Sequence, residues 1–249
     1  MRYGTSELMK LMKKAIIRYD MIADESGIMV GLSGGKDSIT LLFMLKNFLT
    51  VSKYKYPLAA GHIGLGFEGE DISPLSDFCR SIDVPFFYEK TDIGRIVFDI
   101  RKEEHPCSLC ANLRRGALNS LAKNNGYNKV ALGHHQDDVV ETMLLKTFFE
   151  GNIASFNPVT YLNRKELTVI RPFIYAPEAL ITYNARKNEL PVIVNPCPAN
   201  GKTKRQEIKE ILAQINEFAP RAKDRAIGGL EKLYDSHWDG KTNNKKWED

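Results

Sequence analysis

Residues 27–38 read Gly27-Ile28-Met29-Val30-Gly31-Leu32-Ser33-Gly34-Gly35-Lys36-Asp37-Ser38, and this stretch decides the fold. The apolar run from Gly27 to Leu32 has the composition of a short strand. It stops at a glycine pair set among small polar residues. From Asp37 to Phe48 the apolar residues recur at helical spacing, so a helix is predicted to start where the turn ends. Two glycines allow a tight turn and let the backbone approach an anion. The helix N-terminus behind them presents unpaired N–H groups and a partial positive charge. Ser33 and Ser38 add hydroxyls and Lys36 adds a point charge. The set suits a pyrophosphate. The G-x-x-x-x-G-K-[ST] spacing of a Walker A loop is absent.

The same alternation continues outward. Leu58 to Ile63, Pro85 to Tyr88, Lys129 to Gly133, Thr168 to Pro172 and Val192 to Val194 read as strands. Asp71 to Ser81, Cys110 to Asn124, Asp137 to Phe149 and Pro177 to Asn188 read as helices. Met1 to Lys14 reads as an amphipathic helix, and the chain from Thr203 onward as helical and charged. Strand alternating with helix predicts an α/β fold: a parallel twisted sheet with helices on both faces, plus N- and C-terminal helical extensions. Ligands of such sheets bind outside the carboxyl ends of the strands. Ser33 to Ser38, the segment after His62, and His134 to Asp138 are therefore expected to converge on one edge.

Composition sets bounds. The 249 residues are 43% hydrophobic and 27% charged, with net charge +4. That excludes a disordered, collagen-like or disulfide-stapled chain. A chain this long buries a core without help from metal, so a metal here is expected to be functional. The apolar runs are broken well short of a membrane span, and the lysine-bearing N-terminus does not read as a signal peptide. The expectation is a cytoplasmic protein with no membrane association. The mild positive charge hints weakly at a polyanionic partner.

Two further clusters carry chemistry. Pro106-Cys107-Ser108-Leu109-Cys110 is a C-x-x-C pair at a helix start, where two thiols can approach one ion. Cys197 lies between Pro196 and Pro198 after a predicted strand. Three cysteines without a fourth ligand suit an iron–sulfur cluster with one open iron. A zinc site completed by His105, or a redox pair beside a buried cysteine, remains open. Cys79 reads as core. The second cluster is Ala131-Leu132-Gly133-His134-His135-Gln136-Asp137-Asp138. Its aspartates sit at a helix start, where each can cap the helix or hold Mg²⁺ beside a nucleotide. Arg114 and Arg115, Arg171, and the trio Lys202, Lys204 and Arg205 are basic candidates for a polyanionic partner, an RNA if the resemblance below holds, with a solvated helix face as the plain reading.

The Ser33–Ser38 motif resembles the PP-loop of the N-type ATP pyrophosphatases, which cleave ATP to AMP and pyrophosphate and adenylate a substrate oxygen. Three groups of residues together resemble the tRNA 2-thiocytidine synthetase (TtcA) family. They are Cys107-x-x-Cys110 with Leu113-Arg114-Arg115-Gly116, Leu132-Gly133-His134-His135-Gln136-Asp137-Asp138, and Ile170-Arg171-Pro172 with Pro196-Cys197. The resemblance spans residues 20 to 200. It implies an adenine nucleotide alpha hydrolase-like fold. The division would be a helical segment over 1–26, a PP-loop ATPase domain with the C-x-x-C segment inserted over 27–200, and a charged helical tail over 201–249.

The resemblance also implies a reaction. A [4Fe–4S] cluster would sit on Cys107, Cys110 and Cys197, and ATP on Ser33, Gly34, Gly35, Lys36, Asp37 and Ser38, with His62 and Gly133 beside it. Mg²⁺ would be held by Asp137 or Asp138, and Lys36, Asp37, Asp137 and Asp138 would form the catalytic set. The substrate would be cytidine 32 of tRNA, with sulfur from sulfide, a carrier or a cysteine desulfurase, in a homodimer. One departure is visible: Cys197-Pro198-Ala199-Asn200 lacks the second late cysteine often found in that family. A lysidine synthetase-like enzyme, a small-molecule sulfur-transfer enzyme and a uridine 2-thiolase are the alternatives.

Overall fold

A computed structural model describes residues 5–22, 27–52, 56–101, 106–193, 197 and 204–233. The chain runs α1 (Thr5–Arg18), β1 (Ile28–Gly31), α2 (Lys36–Val51), β2 (Leu58–Gly64), α3 (Ser73–Ser81) and β3 (Phe86–Lys90). A short α4 (Ile93–Arg95), continued by a π-helical turn over Ile96–Ile100, precedes α5 (Pro106–Asn124), β4 (Lys129–Ala131) and α6 (Gln136–Glu150). Then come β5 (Val159–Leu162), β6 (Leu167–Ile170), α7 (Glu178–Lys187), α8 (Lys204–Phe218) and α9 (Ala222–Leu233).

The six strands lie in the order β3-β2-β1-β4-β6-β5. Ile28 pairs with Leu58 on one side and Lys129 on the other, both in parallel register. The sheet is not wholly parallel. β5, which sequence reading missed, runs antiparallel to β6 and caps that edge. The predicted strand at Val192–Val194 also fails: Val192 and Ile193 lie outside the sheet, and Val194 lies outside the described residues.

Strand alternation divides the core. Ile28, Val30, Ala60, Ala131 and Ile170 face one side and join a cluster that takes in Leu8 and Met12 of α1, Leu41 and Leu45 of α2, and Ile208 and Leu212 of α8. Met29, Ile63, Val130 and Val169 face the other side, against Leu118, Leu121 and Ala122 of α5. Cys79 lies fully buried in the first cluster, as expected, and burial pushes its thiol up to about 11. α1 and α9 are also tied through polar groups. The Tyr19 and Tyr175 hydroxyls are 2.6 Å apart, and both donate to Glu231 of α9. Among the described residues no helix is long and apolar enough to cross a membrane.

Candidate nucleotide and metal site

The loop between β1 and α2 holds its own shape. Ser38 Oγ donates to the Gly35 carbonyl at 2.9 Å and accepts from the Ser33 N–H at 3.1 Å. The two serine hydroxyls are 3.0 Å apart and clip the turn closed. Gly34 has φ +86°, a left-handed conformation that favours glycine. A Cβ there would stand 2.3 Å from Ile193 Cγ1. Ile193 N donates to the Gly34 carbonyl at 3.0 Å, so the supposed strand is a prop for the loop. Gly133, in the turn after β4, crosses the start of α2 so closely that a Cβ would lie 2.9 Å from the Asp37 carbonyl carbon.

A cavity of about 410 Å³ opens at this edge. Ser33, Asp37 and Ser38 line it from the loop, and Gly133, His134 and Asp138 from the β4–α6 turn. The opposite wall is α5, through Ala111, Arg114, Arg115 and Leu118. His62 is a correction. Gly61 and Ile63 face the cavity, but the period-2 alternation turns His62 to the other face. There it is 3% exposed, its Nδ1 2.7 Å from the Leu32 carbonyl and its Nε2 3.3 Å from Glu70.

The paired aspartates part company. Asp138 lines the cavity and closes a capping box with His135: its Oδ2 accepts from the His135 N–H at 3.0 Å. Its Oδ1 accepts from Arg205 at 2.9 Å. Asp137 is 5% exposed and turned to α7, where its Oδ2 accepts from the Glu178 N–H at 2.7 Å and its Oδ1 from Lys223. Asp137, expected beside the nucleotide, does not line this cavity. It caps a second helix. Asp37 is the carboxylate that faces the cavity with Asp138, and His135 Nε2 lies between them, at 3.9 and 3.5 Å.

Lys36 Nζ reaches Asp37 at 3.0 Å and Glu178 at 2.9 Å. Burial lowers its pKa, but these two carboxylates outweigh it and hold the ammonium above the ordinary lysine value. For Glu178, burial raises the carboxyl, yet the bonds from Lys209 and Lys36 hold it down at about 2. Glu178 and Lys209 were not legible in sequence. The only local signal was an acid directly after Pro177 in a first helical turn. His134 is held neutral: burial, then the Arg171 charge, lower it to about 4. Its ring stands 4.8 Å from Phe156.

Cys107 and Cys110 lie in the first turns of α5, exposed and half-buried, and Cys197 is half-buried. Burial raises the Cys110 thiol, Arg114 opposes that, and Cys197 and Cys107 both add to it. The three sulfurs thus share one electrostatic neighbourhood. Among the described residues no three such side chains close around a single ion. Three cysteines are the donor set that an iron–sulfur cluster takes. His105 lies outside the described residues.

The basic candidates divide. Arg114 is half-buried between the thiols and the cavity, and Arg115 is exposed. Arg171 is 6% exposed. It donates to the Asn157 carbonyl and Thr160 and lies over the Phe156 ring. Burial pulls its pKa down to about 10. Arg205 is turned inward to Asp138 and Glu141, while Lys204 Nζ sits 4.7 Å from the Phe149 ring centre. Lys202 lies outside the described residues.

A self-clipped glycine loop at the carboxyl edge of a mostly parallel sheet, with carboxylates and a lysine around it, defines a nucleotide-binding α/β protein. The PP-loop domain family matches residues 5–215. Over 227 residues the chain is 36% identical to the tRNA-cytidine(32) 2-sulfurtransferase of Citrifermentans bemidjiense, covering 90% of this chain and 89% of that one. It is 37% identical to the enzyme of the same name from Geobacter sulfurreducens, covering 89% and 88%. Its fold is similar to that of the U34-tRNA thiolase NcsA from Methanococcus maripaludis, solved with its [4Fe–4S] cluster. The TM-score is 0.76 at 24% identity, covering 92% of this chain and 78% of that one. The chain belongs to the PP-loop family, in the branch of the tRNA-cytidine(32) 2-sulfurtransferases.

Proposed function

We propose that this protein is an ATP-dependent tRNA sulfurtransferase that adenylates the 2-oxo oxygen of cytidine 32 and replaces that oxygen with sulfur. One observation carries the reading: the cavity has the PP-loop on one wall and the helix bearing Cys107 and Cys110 on the other. Activation and sulfur delivery then share one chamber. The base oxygen attacks the α-phosphorus of ATP, the α–β bridge breaks and pyrophosphate leaves. Sulfide then attacks carbon 2, the carbon–oxygen bond breaks, and AMP departs with the oxygen.

The loop amides and Lys36 stabilise charge that grows on the phosphates. Asp37 and Asp138 are the carboxylates we assign to Mg²⁺, because both face the cavity. Cys107, Cys110 and Cys197 would hold the cluster, which would supply sulfide in a less basic form. Arg114, between the thiols and the cavity, supplies positive charge where both anions must approach. The target base must leave its stack, which is easiest in a loop.

We also propose a cytoplasmic homodimer that receives sulfur from a carrier or desulfurase. Phe148, Phe149 and Ile153 at the end of α6 give it an exposed apolar face. Residues 27–200 would be the catalytic unit, braced by the helical ends. The test is anaerobic thiolation with reconstituted protein, ATP, Mg²⁺, sulfide and unmodified bulk tRNA, read by nucleoside mass spectrometry. The expected product is 2-thiocytidine, dependent on ATP and cluster. A 2-thiouridine product would move the target base, and no thionucleoside would refute tRNA as the acceptor.

A further inference from the structure

Glu178 is the meeting point of four helices, and a fifth braces one of its partners. It opens α7 directly after Pro177, and its backbone N–H is held by Asp137 of α6 at 2.7 Å. Lys223 of α9 steadies Asp137 in turn. The two carboxylate oxygens of Glu178 take different lysines. Oε1 is 2.9 Å from Lys36 of α2, and Oε2 is 2.6 Å from Lys209 of α8. The side chain is four-fifths buried.

A lysine ammonium rides on a flexible four-carbon stem with rotatable donors. Nothing in the loop fixes it. Asp37 also touches Lys36, at 3.0 and 3.1 Å, but it is the next residue in the chain. It restrains the ammonium only relative to their own helical turn. Glu178 comes from a separate element, so it alone of the two ties Lys36 to the frame of the site. A carboxylate so close to an anion-binding loop would ordinarily weaken the local positive field. Lys209 offsets that charge from the far side.

We propose that Glu178 is a positioning residue for ATP cleavage: it holds the Lys36 ammonium in place at the PP-loop, and Lys209 balances its charge. The proposal rests on the ATP-cleaving reading above. It makes the C-terminal helix α8 part of the nucleotide machinery through a residue that touches no nucleotide. A purely helical role is the competing account, since an acid in a first turn favours the helix by itself. The two accounts differ in what they move.

The experiment uses the full-length reconstituted protein and three variants: Glu178→Gln, Lys209→Met and the double substitution. In the first arm, Lys36 acetylation by an amine reagent is followed by peptide mass spectrometry without nucleotide. Glu178→Gln is expected to raise the Lys36 rate severalfold. In the second arm, tRNA-stimulated pyrophosphate release is measured against ATP. Misplacing a reacting group by about 1 Å can cost about 100-fold. Glu178→Gln should show such a loss in kcat, with KM for ATP moving far less. Lys209→Met leaves Glu178 to Lys36 alone and should show the opposite split, a raised KM at near-normal kcat. Unchanged Lys36 labelling in Glu178→Gln, or a wild-type kcat, overturns the proposal. Equal splits in both single variants overturn it as well. If the wild-type protein releases no pyrophosphate, the functional reading fails, and the labelling arm still decides whether Glu178 holds Lys36.

Discussion

Gly133→Ala tests the closest backbone crossing in the site. The added Cβ would lie 2.9 Å from the Asp37 carbonyl carbon, 3.1 Å from its oxygen and 3.1 Å from the Ser38 nitrogen. Ordinary contact begins at 3.4 Å, so the turn and the start of α2 must part by half an ångström or more. All three obstacles are backbone, and none can swing aside as a side-chain tip would. Forcing a methyl into a packed crossing costs about 1–3 kcal/mol. In a chain of this size each kcal/mol lowers Tm by about 2–4 °C. A fall of roughly 2–12 °C is therefore expected in a thermal melt. The functional loss should be larger in proportion. A displacement of about 1 Å at a reacting group can cost about 100-fold, so half of that should slow pyrophosphate release by about tenfold. Gly228→Ala is the control. It sits in α9 with nothing within 4 Å of the added Cβ, and should keep or slightly raise Tm. A Gly133→Ala protein that melts with the wild type and releases pyrophosphate at the wild-type rate would refute the crossing.

The thiols, the cavity-lining imidazole of His134 and the two arginines give three more expectations. Cys107→Ser should lose iron and the broad visible absorption of the reconstituted protein, and with them thiolation, while calorimetry still detects ATP binding; full thiolation would sink the ligand assignment. His134 is held near 4, below its unfolded value of about 6.5, so below pH 6.5 the unfolded chain takes up a proton that the folded one refuses. Stability should fall as pH drops from about 6.5 to 4, by up to about 3 kcal/mol, and urea titrations of His134→Asn should show a shallower slope. Arg171→Gln should lower Tm and leave the salt dependence of tRNA binding unchanged. Arg115→Ala should do the reverse, leaving Tm alone and reducing the salt slope by about one. The opposite pattern would return Arg171 to the RNA surface.

The central strands were legible because they are short apolar runs flanked by glycine and followed by helical periodicity. The edge was not. Val159-Thr160-Tyr161-Leu162 is half-buried and polar on one side, so it lacks the continuous apolar signature of its neighbours. Its signal was the hairpin with β6 across Asn163–Lys165, where Glu166 takes a left-handed turn position at φ 48°. Val192 and Ile193 have strand composition but no slot beside β6, because β5 already fills that edge. The segment gives its Ile193 N–H to the loop instead. Composition reports what a segment could form, and only the tertiary pairing decides what it does form.

The aspartate pair shows why sites are harder to read than strands. Asp137 and Asp138 are adjacent on α6, so their side chains diverge by about 100°, and here they take different partners. Which of them faces the cavity depends on where α7, α8 and α9 return. Arg205 meets Asp138 across 67 positions, and Lys223 meets Asp137 across 86. No local rule reaches that far. The same pairings change what net charge means here. Lys209 lies on Glu178, and Arg171 is buried over Phe156. With Arg205 and Lys223, these cations are already engaged by the protein's own carboxylates and carbonyls. The formal +4 is therefore a poor measure of any RNA-binding face. A better guide is position: Arg114 and Arg115 stand on the helix that joins the thiols to the cavity, where a tRNA base would have to enter.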